Sequence, residues 1–529
     1  MEKLDSKDSQ KKDFFIGFFL FIGFFFLYLN TISNDYYYDG VAFSMFTLEG
    51  FLGNLKKVFI GNHLFYCAFN LMFFKIFRIL DPSVREFFTG QILDIILGCF
   101  GITFFYKLLR NLKQNIFLSI SGAVVLGVSY VYWYFSVNIE YLIPAGFLII
   151  LILFFLQKEL SLKNIIIISI LHFLLISMAI YHFMLAPIIV IMLFMKNEKT
   201  EKFLQRLKFP ILYFIILVST VTAAYLMVIF TVIKPANSSE ALSWFLGYAQ
   251  PGADKYLHLN FTSIKLSITA FINSVSGVYY PGTGKCLNIL KIINTILLSA
   301  GVLVFIFNFK KLWIDYKTFI LTVLGIFIIY GLFFSFWSPE TPGFKIPQWI
   351  ALIIIVILAV GSITNKILKN ISFAGIILLI LLIFTSSLKG SLGPGSNMNN
   401  NKPLAVTLEL SKRTTMGDLF IISGYSPFPI FKVYLPYFGM RQVIAVSWYL
   451  DLNKRTHKDS ISIIKEMINE RFQKNNNVYV FADLIDDQAS IDRLSKNKNI
   501  SKEEINSIFE GYTFEEFINY DIYKIYKIE

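Results

Sequence analysis

The chain has 529 residues, of which 56% are hydrophobic and 16% charged, with a mean hydropathy of +0.62, whereas an ordinary soluble domain is about 45–50% apolar and about 25% charged. That excludes a soluble enzyme, a disordered chain and a disulfide scaffold, and makes a polytopic membrane protein the expectation. The net charge of +13 lies almost wholly in the first 388 residues, because 18 Lys+Arg and 17 Asp+Glu nearly balance from Lys389 onward; the basic excess therefore reads as membrane topology, with no nucleic-acid partner.

A membrane span needs about 20 apolar residues. In chain order the candidates are 14–32, 87–106, 116–136, 141–157, 164–180, 183–195, 210–233, 288–308, 318–336, 346–363 and 371–388. The first reads as a signal anchor rather than a cleaved signal peptide, since no small-residue cleavage site follows it. Two further apolar segments, 63–80 and 264–280, are ambiguous. Clusters of basic residues decide between them, because cytoplasmic loops carry the excess Lys and Arg. These clusters are Lys3, Lys7, Lys11, Lys12; Lys107, Arg110, Lys113; Lys158, Lys163; Lys196, Lys199, Lys202, Arg206, Lys208; Lys310, Lys311, Lys317; and Lys366, Lys369. All face the cytoplasm only if 63–80 and 264–280 lie against the outer face without crossing. The fold class is then a mostly α, polytopic membrane helix bundle of about 11 spans, with the N-terminus inside and the C-terminus outside. Thirteen crossings is the alternative, and it would turn the 196–208 cluster outward.

The outer loops carry the candidate chemistry. The first reads Asn34-Asp-Tyr-Tyr-Tyr-Asp39-Gly40 and reaches Asn62-His63-Leu-Phe-Tyr66. Asp39 is either a carboxylate that deprotonates an acceptor or holds a divalent metal, or a helix N-cap. Burial against Tyr36, Tyr37 and Tyr38 would raise its pKa. His63 caps a helix or binds a phosphate as a cation. Arg85 opens the next span, either pairing with a lipid phosphate or anchoring the helix. Within that span Asp94 is expected to pair with Gln91, one turn away, or to line a cavity. The short loop Trp133–Tyr141 contains one acid, Glu140, followed by Tyr141. Tyr181-His182 forms another short outer turn. The turn Trp337-Ser-Pro-Glu340-Thr-Pro-Gly-Phe-Lys345 is fixed by two prolines and a glycine, so Glu340 and Lys345 are expected at the membrane surface, the lysine able to neutralise a phosphate. The three cysteines, Cys67, Cys99 and Cys286, form no zinc motif, and no dedicated metal-ligand cluster is visible, so a divalent metal stays an open cofactor.

Residues 389–401, rich in Gly, Ser and Asn, read as a flexible linker. Residues 402–529 read as a small soluble α/β domain. Its strands are expected at 418–423, 478–482 and 521–528, and its helices at 459–473 and 502–510. Without G-x-G-x-x-G or a P-loop, no nucleotide site is indicated.

In order, these features resemble the GT-C superfamily of membrane glycosyltransferases, which includes protein O-mannosyltransferases and the aminoarabinose transferases of lipid A. The resemblance covers about residues 14–363. Asp39 matches the acid after the first span, and His63-Leu-Phe-Tyr66 the step into a juxtamembrane helix. Arg85 matches the arginine at the next span, Glu140-Tyr141 the aromatic stretch that ends in an acid and a tyrosine, and Trp337-Ser-Pro-Glu340 a later outer turn. The chain departs from the family in carrying Asp39-Gly40 where many members carry an Asp-Glu pair, and in lacking the prolines after the loop histidine. The resemblance implies transfer of a sugar from a polyprenyl-phosphate-linked donor to a glycan, lipid or protein acceptor on the outer face of the plasma membrane. Asp39 would then be the base or metal-linked acid and Glu140 an orienting acid. His63, Arg85, Tyr141, His182, Glu340 and Lys345 would bind substrate. The competing readings are a non-enzymatic carrier or flippase of lipid-linked glycan and a surface-polysaccharide polymerase or ligase.

Overall fold

A computed structural model describes residues 7–196, 203–246, 257, 260–277, 284–425, 428–451, 456–520 and 523–529. Lys3, Lys199 and Lys202 of the basic clusters lie outside these, as does the end of the apolar segment 264–280. The chain forms two compact units. One joins Met1–Asn34 to Phe46–Ser396, and the other joins Asp35–Met45 to Asn397–Glu529.

The first unit is helical. Among the described residues six helices are long and apolar enough to cross a membrane: Gln10–Asn30, Glu86–Asn111, Phe203–Ile233, Leu287–Phe336, Pro342–Gly361 and Lys366–Ser396. Ile116–Val128 and Tyr130–Ser136 pass the same criteria as a pair bent by 63°. The bend falls at Ser129, whose extended backbone (φ −64°, ψ 140°) ends one helix and caps the other. The helix Gly284–Phe336 breaks at Tyr316 (φ −137°, ψ 22°), so the predicted spans 288–308 and 318–336 follow each other directly across that kink. Three shorter apolar helices, Leu142–Gln157, Leu162–Met178 and Ile180–Lys196, follow one another in the chain before Phe203–Ile233.

The ambiguous segments form short amphipathic helices. Tyr66–Leu80 has 15 residues and buries Tyr66, Cys67, Asn70, Leu71 and Phe74. Phe261–Ser276 has 16 residues and turns Ser263, Ser267, Ala270 and Ser274 inward. Each has one buried and one exposed face, unlike Leu142–Gln157, which is of similar length but apolar all round. Close packing in the bundle relies on small residues. A Cβ on Gly101 would lie 1.9 Å from the Tyr132 hydroxyl, and that hydroxyl donates to the Gly98 carbonyl at 3.1 Å.

The stretch expected to be a flexible linker is helical instead. Leu388–Leu392 and Gly393–Ser396 continue the preceding helix, and Met398–Asn400 forms one 3-10 turn. Its composition suggests mobility, but its middle is tied down. Asn34 donates its backbone N–H to Gly395 O at 2.9 Å and its side-chain amide to Ser396 O at 2.6 Å.

The second unit holds a five-stranded sheet in the order β2-β1-β3-β5-β4. The strands are β1 (Leu419–Ile422), β2 (Gln442–Ala445), β3 (Val478–Phe481), β4 (Phe514–Tyr520) and β5 (Tyr523–Ile528). β1 runs parallel to β2 and β3, whereas β5 is antiparallel to β3 and β4. The predicted strands at 418–423 and 478–482 are the buried central pair, the fully apolar runs expected of strands covered on both faces. One face packs Ile461, Ile464 and Ile468 of the helix His457–Gln473 on Leu419, Ile421 and Val480. The other face packs Phe420 and Phe481 on Phe431 and Leu435.

Candidate active site

The acid Asp94 sits in the helix Glu86–Asn111 and is fully buried. An ionisable group at that depth needs partners. Its Oδ2 accepts the Tyr66 hydroxyl at 3.0 Å and the Glu140 backbone N–H at 2.8 Å. Asp94 Oδ1 is buried with no hydrogen-bond partner among the described residues. Gln91 is not the partner expected from helix spacing. Its amide donates to the carbonyls of Ser33 and Val137, both at 2.9 Å, and the Val137 carbonyl also accepts the Ser33 N–H at 3.2 Å. Asp94 and Gln91 thus hold the Trp133–Tyr141 loop at two points, and Trp133 Nε1 bonds Thr31 Oγ1 at 2.8 Å as a third.

Glu140 and Tyr141 stand on this fixed loop, both buried. The Tyr141 ring lies 4.1 Å from the His63 ring, and 6.3 Å and 6.4 Å from those of Tyr66 and Tyr181. His63 Nδ1 bonds the Met178 carbonyl at 2.6 Å. Burial pushes the His63 imidazole down to about 4, against a weaker upward pull from that carbonyl. The ring is neutral near pH 7, so it offers a hydrogen bond rather than the positive charge the sequence suggested for phosphate binding.

His182, beside Tyr181, is also buried. Its Nδ1 bonds the Tyr330 hydroxyl at 2.7 Å, and its carbonyl accepts His172 Nε2 at 3.0 Å. His172 Nδ1 pairs in turn with the Tyr213 hydroxyl. Burial, with His172 and His63 nearby, holds His182 well below the usual imidazole range. Its Nε2 is buried without a hydrogen-bond partner among the described residues.

Lys345 does not project at the surface as expected. It is fully buried, and its ammonium donates to Ser267 Oγ at 2.7 Å and the Phe334 carbonyl at 3.0 Å. The Phe334 ring centroid lies 5.9 Å away, at the edge of cation–π range. Pro342–Lys345 forms one 3-10 turn leading directly into the buried helix Ile346–Gly361, which carries the lysine inward. Glu340 and Arg85 are exposed, Arg85 at the N-cap position of its helix.

These residues, from Asp94 to Lys345, belong to the first unit. Asp39 belongs to the second. It lies in the first turn of the helix Tyr38–Phe51, and burial pushes its carboxyl up to about 6. Among the described residues no three His, Cys, Asp or Glu side chains come together as a cation site. Tyr66, Ser267 and Tyr330 were not legible as site residues. The one signal for them is that a polar group inside an apolar helix must find a partner.

No protein-family model matches the chain, and no curated protein matches it in sequence. Solved structures do match its fold. ArnT from Cupriavidus metallidurans, crystallised with undecaprenyl phosphate, aligns over 96% of this chain and 97% of its own, with a TM-score of 0.59 and 9% identity. An Archaeoglobus fulgidus oligosaccharyltransferase, tethered to an acceptor peptide, aligns over 94% and 73%, with a TM-score of 0.56 and 11% identity. The mycobacterial arabinofuranosyltransferase AftD aligns over 96% of this chain and 39% of its own, with a TM-score of 0.50 and 12% identity. The fold of this chain is therefore the GT-C fold of these membrane glycosyltransferases.

Proposed function

We propose that the protein is a multi-pass membrane glycosyltransferase. It takes a sugar from a polyprenyl-phosphate-linked donor on the extracytoplasmic face and passes it to a glycan, lipid or protein acceptor. The observation that carries this reading is the likeness, over nearly the whole of both chains, to ArnT solved with undecaprenyl phosphate. The amphipathic character of the helices Tyr66–Leu80 and Phe261–Ser276 supports the 11-span topology, in which the first loop, the Glu140 loop, the 180–185 turn and the Lys345 turn share the outer side.

In the proposed reaction an acceptor hydroxyl attacks the anomeric carbon. The bond from that carbon to the phosphate oxygen breaks, and its electron pair leaves with the polyprenyl phosphate. Asp39, poised near neutrality, takes the acceptor proton. Lys345, with Arg85 at the interface, offsets the charge growing on the leaving phosphate. Glu140 and Tyr141, fixed through Asp94 and His63, orient the sugar. His182 offers its unused nitrogen to a substrate hydroxyl, and Glu340 sustains the charge of Lys345.

Purified protein in liposomes with a polyprenyl-phosphate-sugar donor tests this reading. A transferase releases free polyprenyl phosphate once acceptor is added. A carrier moves the intact donor across the bilayer and leaves the sugar–phosphate bond whole, and that result would refute the proposal.

A further inference from the structure

The loop Asp35–Met45 and the tail Asn397–Glu529 lie more than 350 residues apart in sequence, yet they form one compact unit. Contacts at Tyr36 and Tyr38 fasten the loop to the tail. The Tyr434 hydroxyl donates to the Tyr36 carbonyl at 2.9 Å and accepts from Asn401 Nδ2 at 3.1 Å. The Tyr36 ring stacks on Phe438, with centroids 5.4 Å apart and planes 20° apart. The Tyr38 ring stands 6.5 Å from Trp448 at 33°, and the Lys432 ammonium lies 3.0 Å from the centroid of the same indole.

The tail side of this contact is built on rigid elements. Tyr434 and Phe438 belong to the helix Phe431–Gly439, which links β1 to β2, and Trp448 belongs to the helix Val446–Asp451, which leaves β2 directly. Both helices are therefore anchored on the parallel part of the sheet. On the loop side the gripped residues lead directly into one site. Tyr36 is held by backbone and ring and Tyr38 by its ring, and the next residue is Asp39. Asp39 lies in the first turn of the helix Tyr38–Phe51, so the gripped residues sit where that helix starts.

We infer that the tail domain is the positioning device for Asp39: Tyr434, Phe438 and Trp448 form an aromatic clasp on Tyr36 and Tyr38 that sets where the carboxylate points. The inference rests on the reading of Asp39 as the base. The clasp residues are positioning residues and touch no substrate. A soluble domain at the end of a membrane enzyme would then belong to its catalytic machinery. A displacement of about 1 Å at a reacting group costs on the order of 100-fold in rate, which a loosened clasp would incur without changing how the donor binds.

The test uses the full-length protein in liposomes, with kcat and the donor KM measured for Tyr434→Phe, Trp448→Ala, Trp448→Phe and Asp39→Asn, and hydrogen–deuterium exchange followed over 35–45 and over the sheet. Tyr434→Phe and Trp448→Ala should lower kcat by roughly 10- to 100-fold with KM within about twofold. Exchange should rise over 35–45 while the sheet keeps its protection, and Trp448→Phe should recover most of the rate. Unchanged kcat in Tyr434→Phe and Trp448→Ala beside an inactive Asp39→Asn would overturn the clasp and leave the base in place. Loss of protection throughout the sheet in both clasp variants would mark a folding defect and overturn it too. Full turnover by Asp39→Asn would overturn the base, and the clasp with it.

Discussion

Asp94 Oδ2 accepts the Glu140 backbone N–H at 2.8 Å, joining a membrane-buried acid to the loop that presents a second acid. The same oxygen takes the Tyr66 hydroxyl. Asp94→Ala removes the acceptor that both donors share, and a buried hydrogen-bonding group that loses its partner costs about 1–3 kcal/mol. The melting temperature in detergent should fall clearly, and turnover with it, because Glu140 loses its anchor. Asp94→Asn keeps an acceptor oxygen and should lose less than half as much stability. An unchanged melting temperature for Asp94→Ala would contradict the assigned role.

Asp39 predicts the lower limb of the pH profile. Burial raises Asp39 to about 6, so the base is ionised only above that value. Turnover should therefore climb through about pH 6. A rate profile flat from about pH 5 to about pH 7, across the whole of that limb, would contradict the assignment.

Asp483, two residues past β3, is fully buried and accepts the Ser423 N–H at 2.8 Å. Burial pushes it from 3.8 up to about 7, partly offset by bonds to Ser423. The folded state then holds a proton that the unfolded chain has released. Stability should fall as pH rises from about 4 through about 7, by up to ~1.4 kcal/mol per pH unit. Asp483→Asn keeps the acceptor for Ser423 and should flatten that slope. Unfolding followed at pH 5, 6 and 7 checks it, and identical slopes in the two proteins would refute it.

The 11-span topology places Glu340 outside and Lys113 inside, and both side chains are exposed. In a chain with its native cysteines replaced, a membrane-impermeant maleimide on intact cells should label Glu340→Cys and not Lys113→Cys. Labelling of Lys113→Cys alone would invert the arrangement.

Much of the membrane unit was legible because spans announce themselves by long apolar runs and their ends by lysine and arginine. The central strands of the tail were legible for a similar reason: Leu419–Ile422 and Val478–Phe481 are short, wholly apolar runs. β2 was missed because Gln442–Ala445 is four residues long and half exposed, and β4 because the shift between Glu516 and Ile518 breaks its alternation. Asp94 was visible as an anomaly, but its partners Tyr66 and Glu140 are 28 and 46 residues away. Local spacing favoured Gln91 instead, and nothing in it foretells that two loop carbonyls claim that amide. Lys345 was expected at the surface because its turn is polar, yet the 3-10 geometry after Pro342 swings it inward. Likewise, no composition rule tells that Asn34 ties down a Gly- and Ser-rich stretch that then stays helical.

The most direct measurement is release of polyprenyl phosphate from a lipid-linked sugar donor, in liposomes holding either the wild-type protein or Asp39→Asn, with acceptor present and both proteins shown to melt alike. The expected result is steady release by the wild type and a drop of at least about 100-fold in the variant, at the low end of what loss of a general base costs. Equal release by the two proteins, or none by the wild type with any donor, would contradict catalysis by this carboxylate.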